Sequence, residues 1–351
     1  RDFTINAMAV RVPELEFVDL YEGVSDLMRK LIRTPREAEL SFSDDPLRMM
    51  RAARFASQLG FTPVADVIIA ATDMSDRISI VSAERISDEF SKLLLGEFPV
   101  LGLEILDGTK LTEHFLPELP ALQLEIDEHH KHKDVYEHSL KVLQQAVDLE
   151  TNHEPPLAPD LVLRLAALLH DIGKPKTRRF ESGGSVSFHH HEVVGAKLAR
   201  KRLAALRYPN DVIDSVCKLI ALHLRFHGYG SGQWTDSAVR RYVRDADDEL
   251  VRLHKLTRAD CTTRNQRRAL ILATTYDDLE QRIAVLSEQE ELNSIRPDLD
   301  GTQIMEILGI GPGPLVGKAY DYLLNCRLDE GPLEHDDAVQ RLKSWWAQQA
   351  Q

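Results

Sequence analysis

The 351-residue sequence has little of three features that would place it in other classes of protein. Aromatic residues make up only 6% of it, cysteine occurs three times, and no apolar run approaches the roughly 20 residues that a membrane-spanning helix needs. Cys217, Cys261 and Cys326 are odd in number, and their spacing suits neither a zinc finger nor a disulfide framework. These absences favour a protein of the reducing cytoplasm with no membrane partner.

Basic residues are also outnumbered, since 43 Lys and Arg stand against 56 Asp and Glu, which gives a net charge of −13. That balance at first disfavours a nucleic-acid partner. The basic residues are clustered, however: residues 174–207 hold nine of them against two Glu, and residues 252–268 hold six against Asp260 alone. Such clusters can bind phosphates on an acidic protein, although solvated helix faces would have the same composition.

The length predicts two or three structural units, and the hydrophobic pattern is mostly helical. Residues 1–27 alternate like strands, as at Phe3, Ile5 and Ala7. Further on, Ser43 is the predicted N-cap of a helix that continues to residue 59 and ends at Gly60. Ser82 is predicted to start another helix, to about residue 95, and residues 182–187 are predicted to form a loop.

An apolar helix over residues 161–169 ends at the dipeptide His170-Asp171, and the following Gly173 and Pro175 terminate it. A carboxylate and an imidazole beside a buried helix are costly unless something satisfies them. A divalent ion does so, because carboxylates and neutral imidazoles are good ligands for it. The dipeptide therefore predicts a metal site.

Further potential ligands occur on other helical segments: His138, the run His189, His190 and His191, then His223 and Asp260. Leu250, Leu253 and Asp260 share one face of a predicted helix, so Asp260 is expected to point inward. Any one histidine alone is more often capped or solvent-exposed than bound to metal. The combination favours a metal site.

Together these residues resemble the HD superfamily of metal-dependent phosphohydrolases, which uses a His, an adjacent His-Asp pair and a distal Asp. The resemblance implies that His170 and Asp171 are catalytic, and it implies a set of metal ligands: His138, His170, Asp171 and Asp260, with His191 and His223 as candidates for a second ion. The identity of the divalent metal is left open. Such an ion would lower the pKa of a coordinated water and neutralise phosphate charge.

The first eight residues, Arg-Asp-Phe-Thr-Ile-Asn-Ala-Met, resemble the sugar-discriminating motif of the class II tRNA nucleotidyltransferase and bacterial poly(A) polymerase family. The resemblance implies that Asp2 and Asn6 lie near the ribose, where they can bind hydroxyl groups. Arg1 would supply positive charge to a triphosphate. An ordinary edge strand is the alternative.

Residues 44–56, Asp-Asp-Pro-Leu-Arg-Met-Met-Arg-Ala-Ala-Arg-Phe-Ala, carry the sharpest match to this family. Asp45 and Arg48 stand at i and i+3 and are predicted to project from one helix face. A carboxylate accepts from an exocyclic amine and a guanidinium donates to a ring nitrogen or carbonyl, so the pair can select C and A over U and G. In the family it is the protein template for CTP and ATP. Arg51 and Arg54 would bind phosphates or serve the structure.

Three weaker matches follow the same family order. Residues 19–27 resemble its flexible loop, although Leu20 and Glu22 depart from the usual form. Residues 84–89 match a motif whose role we expect to be structural, with Arg85 and Glu89 paired at i and i+4. Residues 301–317, rich in glycine and proline, resemble part of the RNA-binding tail, or else form a plain tight turn.

The resemblance covers essentially the whole chain and is greatest to the actinobacterial form of the family. It implies a mostly α-helical protein in four parts: a remnant of an α/β nucleotidyltransferase head (residues 1–27), neck and template helices (28–125), an HD domain (126–275) and a C-terminal helical RNA-binding tail (276–351). The implied function is the addition of C and A to tRNA 3′ ends from CTP and ATP.

In this family the two carboxylates that hold Mg²⁺ precede the sugar-discriminating motif, and residues 1–27 contain no such pair. We therefore expect that the Mg²⁺ ligands lie outside this chain, that the chain is truncated at its N-terminus, and that it adds no nucleotide by itself. The alternatives are a poly(A) polymerase, which would not use CTP, a stand-alone HD phosphohydrolase, and a non-catalytic RNA-binding module.

Overall fold

The computed structural model describes residues 1–123, 134–181, 186–228, 234–263, 265–290 and 295–349. The chain separates into two compact units, which are residues 1–223 with 255–262 (unit 1) and residues 224–254 with 263–351 (unit 2). The predicted HD boundary at residue 126 and most of the predicted loop at 182–187 lie outside the described residues. None of the helices in the described ranges has the length and hydropathy of a membrane span.

The described fold is mostly α-helical, as predicted. The helices of residues 1–223 are α1 Gly23–Arg29, α2 Ala38–Asp44, α3 Leu47–Leu59, α4 Ala65–Asp73, α5 Ala83–Leu94, α6 Pro99–Gly108, α7 Leu111–Phe115, α8 Val135–Thr151, α9 Leu161–Leu169, α10 Lys174–Thr177, α11 His191–Ala205 and α12 Asn210–Leu222. The later helices are α13 Asp236–Ala246, α14 Leu250–Asp260, α15 Gln266–Glu290, α16 Gly301–Leu308, α17 Pro314–Glu330 and α18 His335–Gln349.

The strands of the described residues form short two-stranded sheets. These are the antiparallel pair β1 Ala9–Arg11 and β2 Glu16–Val18, the parallel pair β3 Leu31–Ile32 and β4 Thr62–Pro63, and the antiparallel pair β5 Arg179–Phe180 and β6 Val186–Ser187. Residues 1–27 thus contain one hairpin, in which Val10 lies opposite Phe17.

The strand predicted through Phe3, Ile5 and Ala7 is wrong, because Thr4–Asn6 form a 3-10 helix. Two side chains hold this turn. The Asn6 Oδ1 atom accepts a hydrogen bond from the Phe3 amide at 3.1 Å, and the buried Thr4 hydroxyl donates to Asp26 at 2.6 Å. Local side-chain bonds of this kind compete with strand pairing.

The single helix predicted over residues 43–59 is also wrong, because α2 and α3 meet there. Asp45 is extended (φ −147°, ψ 100°), since a following proline, here Pro46, disfavours the helical conformation. The Asp45 carboxylate instead accepts a hydrogen bond from the Leu47 amide at 3.2 Å. Asp45 therefore precedes α3, and it does not share a helix face with Arg48 as predicted.

Two predicted helix boundaries are confirmed. Gly60 ends α3 in the left-handed conformation at φ +66°, where a residue without a side chain is least strained. Ser82 is the N-cap of α5, and its hydroxyl accepts from the Arg85 amide at 3.5 Å. Both boundaries depend on contacts within a few residues, which explains why local sequence predicts them.

Helix α9 carries the most buried segment of unit 1. Its first turn is capped by Asp160, whose carboxylate accepts from the amides of Val162 and Leu163 at 3.0 and 3.2 Å. The helix packs against α8 and α12, and its residues 163–169 are all buried. This burial fixes the position of the His170-Asp171 pair that follows the helix.

A buried arginine, which sequence analysis did not single out, ties α9 to the end of α5. The Arg164 guanidinium binds Glu150 of α8 at 2.6 and 2.9 Å. It also donates to the carbonyls of Leu94 and Gly96 at 2.6 and 2.8 Å. A single side chain thus satisfies the last carbonyls of α5 and anchors the helix that presents His170 and Asp171.

Unit 2 has its own apolar core, formed around α16, α17 and α18 by Leu299, Ile304, Ala319, Leu323, Ala338 and Leu342. Asp300 caps α16 by accepting from the amides of Thr302 and Gln303 at 2.8 and 2.9 Å. The glycine- and proline-rich segment predicted in this region connects α16 to α17: Gly309 ends the first helix at φ +65° and Pro314 begins the second.

Candidate metal centre and nucleotide site

The six residues predicted as metal ligands converge in unit 1. His138 lies in α8, His170 and Asp171 follow α9, His191 begins α11, His223 follows α12 and Asp260 ends α14. They come from five segments that are far apart in the sequence. His170, Asp171, His191 and His223 are buried, so the centre of the cluster is largely screened from solvent.

One group of these residues surrounds one oxygen of Asp171. The Asp171 Oδ2 atom lies 3.2 Å from His170 Nε2 and 3.6 Å from His138 Nε2. His138 Nε2 is in turn 3.0 Å from Asp260 Oδ1. The potential ligand atoms of His138, His170 and Asp171 all lie within 4.8 Å of one another, which is close enough for a shared cation.

A second group surrounds the other oxygen of the same carboxylate. Asp171 Oδ1 lies 3.2 Å from His191 Nε2, and the rings of His191 and His223 are 5.3 Å apart. The ligand atoms of Asp171, His191 and His223 also lie within 4.8 Å of one another. Asp171 therefore stands between two sets of histidines, an arrangement that can hold two cations with one bridging carboxylate.

The histidines are oriented by hydrogen bonds from their other ring nitrogen. In three of them Nδ1 donates to the carbonyl three residues earlier: His170 to Ala167 at 2.9 Å, His191 to Phe188 at 2.8 Å and His223 to Ile220 at 2.7 Å. His138 Nδ1 is 3.2 Å from the hydroxyl of Thr262, a residue that sequence analysis missed. A neutral ring that donates from Nδ1 has its lone pair on Nε2, which is the form that binds metal.

The electrostatics of the cluster require positive charge. Burial disfavours a charged His170, but the carboxylate of Asp171, with Asp260 beyond it, raises the pKa of His170 to about 9. Burial also disfavours an ionised Asp171, yet His170, His191 and Lys174 hold the pKa of Asp171 well below its usual value. The carboxylates at this site are thus ionised and neutralised by cations around them, a role that a metal ion fills well.

Asp260 and His223 have lowered pKa values, which leave the first ionised and the second neutral. Burial opposes ionisation of Asp260, but the hydrogen bond from His138 and the charge of His170 lower the pKa of Asp260. Burial and the charge of His170 together lower the pKa of His223 to about 4. At neutral pH Asp260 is therefore a carboxylate and His223 a neutral imidazole, and both are suitable ligands.

Lys174 belongs to this site, although the sequence indicated it only as one member of a basic stretch. Its ammonium group lies 2.6 Å from Asp171 Oδ2 and 5.7 Å from the ring centroid of Phe188. The spacing of i and i+3 after Asp171 was the signal that could have revealed it. Lys174 is placed to attract a phosphate beside the carboxylate.

The nucleotide motifs meet at Asp2. Its two carboxylate oxygens accept from Arg48 Nε at 3.1 Å and from Arg51 Nη1 at 2.9 Å. Arg48 also donates to the carbonyl and hydroxyl of Ser41 at 3.1 and 3.0 Å. The first residues of the chain and the predicted template helix α3 are thereby joined in one charged cluster, while the Asn6 side chain is used to hold its own turn.

The pairing predicted between Arg85 and Glu89 is wrong. Arg85 reaches the Asp45 carboxylate, at 3.2 Å, and Glu89 is instead shared by Arg51 and Arg54 at 3.0 and 2.9 Å. Glu89 is nearly fully buried, so it binds the partners that α3 presents across the helix interface rather than one on its own exposed face. These contacts favour a structural role for Arg54. Arg51 shares that role through its Nε atom, which binds Glu89, while its Nη1 atom binds Asp2.

A cavity of about 180 Å³ lies beside this cluster and is lined by Arg1, Ala7, Tyr21, Pro35, Arg36, Ser41 and Arg48. Tyr21 and Arg36 were not among the predicted site residues: Tyr21 lies in the segment that resembles the flexible loop, and Arg36 comes from a segment without a recognised role. The cavity is smaller than the roughly 300 Å³ at which ligand pockets begin, so it fits a phosphate or a sugar better than a whole nucleotide. Its guanidinium groups suit a phosphate.

Models of protein families match three parts of the chain. "HD domain" matches residues 135–265, "Probable RNA and SrmB- binding site of polymerase A" matches residues 60–122, and "Poly A polymerase head domain" matches residues 1–33. The HD match contains all six potential metal ligands, and the head match contains Arg1, Asp2 and Asn6.

The A-adding tRNA nucleotidyltransferase of Deinococcus radiodurans is 33% identical over 340 residues, which cover 93% of this chain and 74% of the relative. The chain belongs to the class II CCA-adding enzyme family. The CC-adding tRNA nucleotidyltransferase of Thermus thermophilus is 31% identical over 99% of the chain and 76% of its own length. The crystal structure of the Bacillus stearothermophilus CCA-adding enzyme in complex with CTP shares the fold, with a TM-score of 0.66 at 22% identity over 100% of this chain and 74% of that one.

These matches confirm the family and the fold class that the sequence predicted, including the HD domain. They also identify the chain as a nucleotidyltransferase of the tRNA-processing class. The relatives that match most of its length are tRNA nucleotidyltransferases. The comparisons therefore do not favour a poly(A) polymerase, a stand-alone HD phosphohydrolase or a non-catalytic RNA-binding module.

Proposed function

We propose that this chain selects CTP and ATP and binds tRNA for the addition of C and A to tRNA 3′ ends, and that its HD site is a metal-dependent phosphohydrolase. The observation that supports the first part is the cluster in which Asp2 joins Arg48 and Arg51. This cluster places the sugar-discriminating motif against the template helix, so that the ribose and the base would be bound at adjacent positions. The proposed metal for the transfer reaction is Mg²⁺.

In this proposal Asp45 and Arg48 recognise the base together, although Asp45 follows α2 and Arg48 lies in α3. Arg85 holds the Asp45 carboxylate at 3.2 Å, and Asp2 with Ser41 holds the Arg48 guanidinium. Both side chains are partly exposed, at 24% and 19%, so a base can reach them. Asp45 would accept from the exocyclic amine of C or A, and Arg48 would donate to the ring.

Replacing Asp45 with Ala should remove the preference for CTP and ATP over UTP and GTP. A charge-assisted hydrogen bond contributes about 1.5–3 kcal/mol, so the ratio of dissociation constants for UTP and CTP should fall by about 10- to 150-fold. The measurement is equilibrium nucleotide binding, which requires no catalytic turnover.

Asp88→Ala is the matched control, because among the described residues its carboxylate is paired with the exposed Lys92 of the same helix alone, at 2.5 Å. This variant should keep the wild-type ratio. An Asp45→Ala protein that is folded and still prefers CTP would mean that the Asp45 carboxylate does not recognise the base.

The same titrations separate the candidate specificities, since a CCA-adding chain binds CTP and ATP whereas an A-adding enzyme or a poly(A) polymerase discriminates against CTP.

The second part of the proposal is supported by the position of Asp171 between two histidine groups. His138, His170 and Asp260 would hold one divalent ion, and His191 with His223 would hold a second, while Asp171 bridges them. The ions would acidify a coordinated water and neutralise phosphate charge. Lys174 would position a phosphate through its ammonium group, which already lies next to Asp171. Compounds with 3′-terminal or cyclic phosphates are the proposed substrates.

Metal analysis should find two Mn²⁺ ions per chain in the wild type and one in His223→Ala. The loss follows because His223 supplies one of the only two imidazoles near Asp171 Oδ1 among the described residues. Dialysis followed by elemental analysis gives the stoichiometry. His153→Ala is the control, since this exposed histidine has its one hydrogen bond within the described ranges to the Pro155 carbonyl, at 2.8 Å. Two tightly bound ions in His223→Ala would contradict the bridged arrangement.

The division into head remnant (1–27), neck (28–125), HD domain (126–275) and tail (276–351) is part of this proposal, with tRNA as the partner. We propose the cytoplasm as its location, because Cys217, Cys261 and Cys326 are all free thiols.

A further inference from the structure

We propose that the β5–β6 hairpin is a binding platform for the single-stranded 3′ end of RNA, with one base stacked on Phe180. The inference rests on the proposed phosphohydrolase and names its substrate class: an oligonucleotide end rather than a free mononucleotide. It follows from the position of the hairpin, from the face that carries Phe180 and from the charges around it.

The hairpin is attached directly to the metal centre. Phe188, the residue that follows β6, accepts the hydrogen bond that orients His191, with 2.8 Å between its carbonyl oxygen and His191 Nδ1. Its ring lies 5.7 Å from the ammonium group of Lys174, which is 2.6 Å from Asp171 Oδ2. A phosphate held by Lys174 beside the metal centre would therefore lie at the base of the hairpin.

One face of the hairpin leads outward from that point. Phe180 pairs with Val186 in the antiparallel register, and Phe188 stands two residues beyond Val186. Cross-strand partners share a face, so Phe180 and Val186 lie side by side, and Phe188 follows two residues, or about 7 Å of extended chain, beyond them. Arg178 belongs to the same face, because its guanidinium carbon lies 4.7 Å from the Phe180 ring centroid.

The chemistry of this face fits a nucleic-acid strand. Phe180 is 70% exposed, so most of its ring is available for stacking. Lys176, Arg178 and Arg179 lie within four residues of Phe180 in the sequence, and across the part of the chain that the structure describes they form no ion pair. An exposed ring with unneutralised cations is the combination that binds single strands, in which bases stack on aromatic residues and phosphates meet basic ones. These cations would attract phosphates although the protein as a whole has a net charge of −13, and the exposed aromatic ring favours RNA over an acidic protein surface because bases stack on it.

The test is fluorescence anisotropy of a 5′-fluorescein-labelled single-stranded tetranucleotide with a 3′-phosphate, measured in EDTA. Phe180→Ala should weaken its binding about ten-fold or more, the effect of losing one stacked base. Phe180→Trp should retain binding, and Phe180→Leu should lose it, because leucine is apolar but has no aromatic face. The matched control is Phe17→Ala: Phe17 is 54% exposed and lies opposite Val10 in the other two-stranded hairpin, β1–β2, so it should bind as the wild type does.

Wild-type affinity in Phe180→Ala would overturn the proposal, and full affinity in Phe180→Leu would show general apolar contact instead of stacking. Loss of binding to anionic phospholipid vesicles in Phe180→Ala, with the tetranucleotide unaffected, would assign the platform to a membrane and also overturn it. The assay contains no metal and measures no hydrolysis. Absence of phosphate release by the metal-loaded wild type would therefore refute the proposed phosphohydrolase, while the anisotropy result would still decide whether the hairpin binds RNA.

Discussion

Replacing Asp171 with Ala should abolish metal-dependent release of phosphate from RNA 3′-phosphates, by at least about a thousand-fold. Within the described ranges, Asp171 is the only residue whose carboxylate contacts both histidine groups. One of its oxygens faces His138 and His170, and the other faces His191. Its removal would deprive both proposed ions of a ligand. The measurement is phosphate release from a 3′-phosphorylated oligonucleotide at saturating Mn²⁺.

Two variants make this result specific. Asp171→Asn keeps the shape of the side chain but not its charge, so it should fail as Asp171→Ala does. Asp148→Ala removes an exposed carboxylate of α8 that accepts from Gln144 at 2.9 Å, and it should keep full activity. Circular dichroism should show the helical content of all three proteins unchanged. Substantial activity in Asp171→Asn would place the hydrolytic centre elsewhere.

Replacing Arg164 with Ala should lower the free energy of unfolding of unit 1 by about 3–5 kcal/mol. Arg164 and Glu150 are both almost completely buried, and the substitution leaves the Glu150 carboxylate without its guanidinium partner. It also leaves the carbonyls of Leu94 and Gly96, at the end of α5, without their donor. Chemical denaturation followed by circular dichroism gives the difference from the wild type.

Arg200→Ala is the matched control for this loss. Arg200 forms a 2.6 Å ion pair with Asp214, but both side chains are more than half exposed, so the change should cost no more than about 1 kcal/mol. In the double variant Arg164→Met with Glu150→Met neither charge remains buried, and much of the lost stability should return. Equal losses in Arg164→Ala and Arg200→Ala would show that the buried pair contributes little.

The metal cluster was predictable in composition because each ligand lies in a local pattern. His170 and Asp171 end an apolar helix, and Asp260 lies on the inward face of α14. Their convergence could not be derived from those patterns alone, and the resemblance to the HD superfamily supplied it. Lys174 and Thr262 were missed, since neither residue type suggests a metal site and each is recognised only by its distance to Asp171 or His138.

The neck shows where local rules fail. Arg85 and Glu89 have the spacing of an intrahelical ion pair, yet Glu89 is buried against α3 and binds Arg51 and Arg54. An exposed i,i+4 pair contributes only a few tenths of a kcal/mol, whereas a buried carboxylate left unpaired costs several times more. The tertiary partner therefore prevails, and nothing within the helix itself identifies it.

The sequence by itself determined the helical fold class, helix boundaries such as Gly60 and Ser82, and the set of residues with ligand chemistry. These depend on interactions within a few residues or on the apolar pattern of one segment. Only the tertiary structure decided that Asp171 stands between two histidine groups, that Arg164 joins α9 to the end of α5, and that Phe180 stands exposed opposite Val186. Each of these depends on how segments distant in the chain pack together, because burial and the available partners determine which charged contacts form.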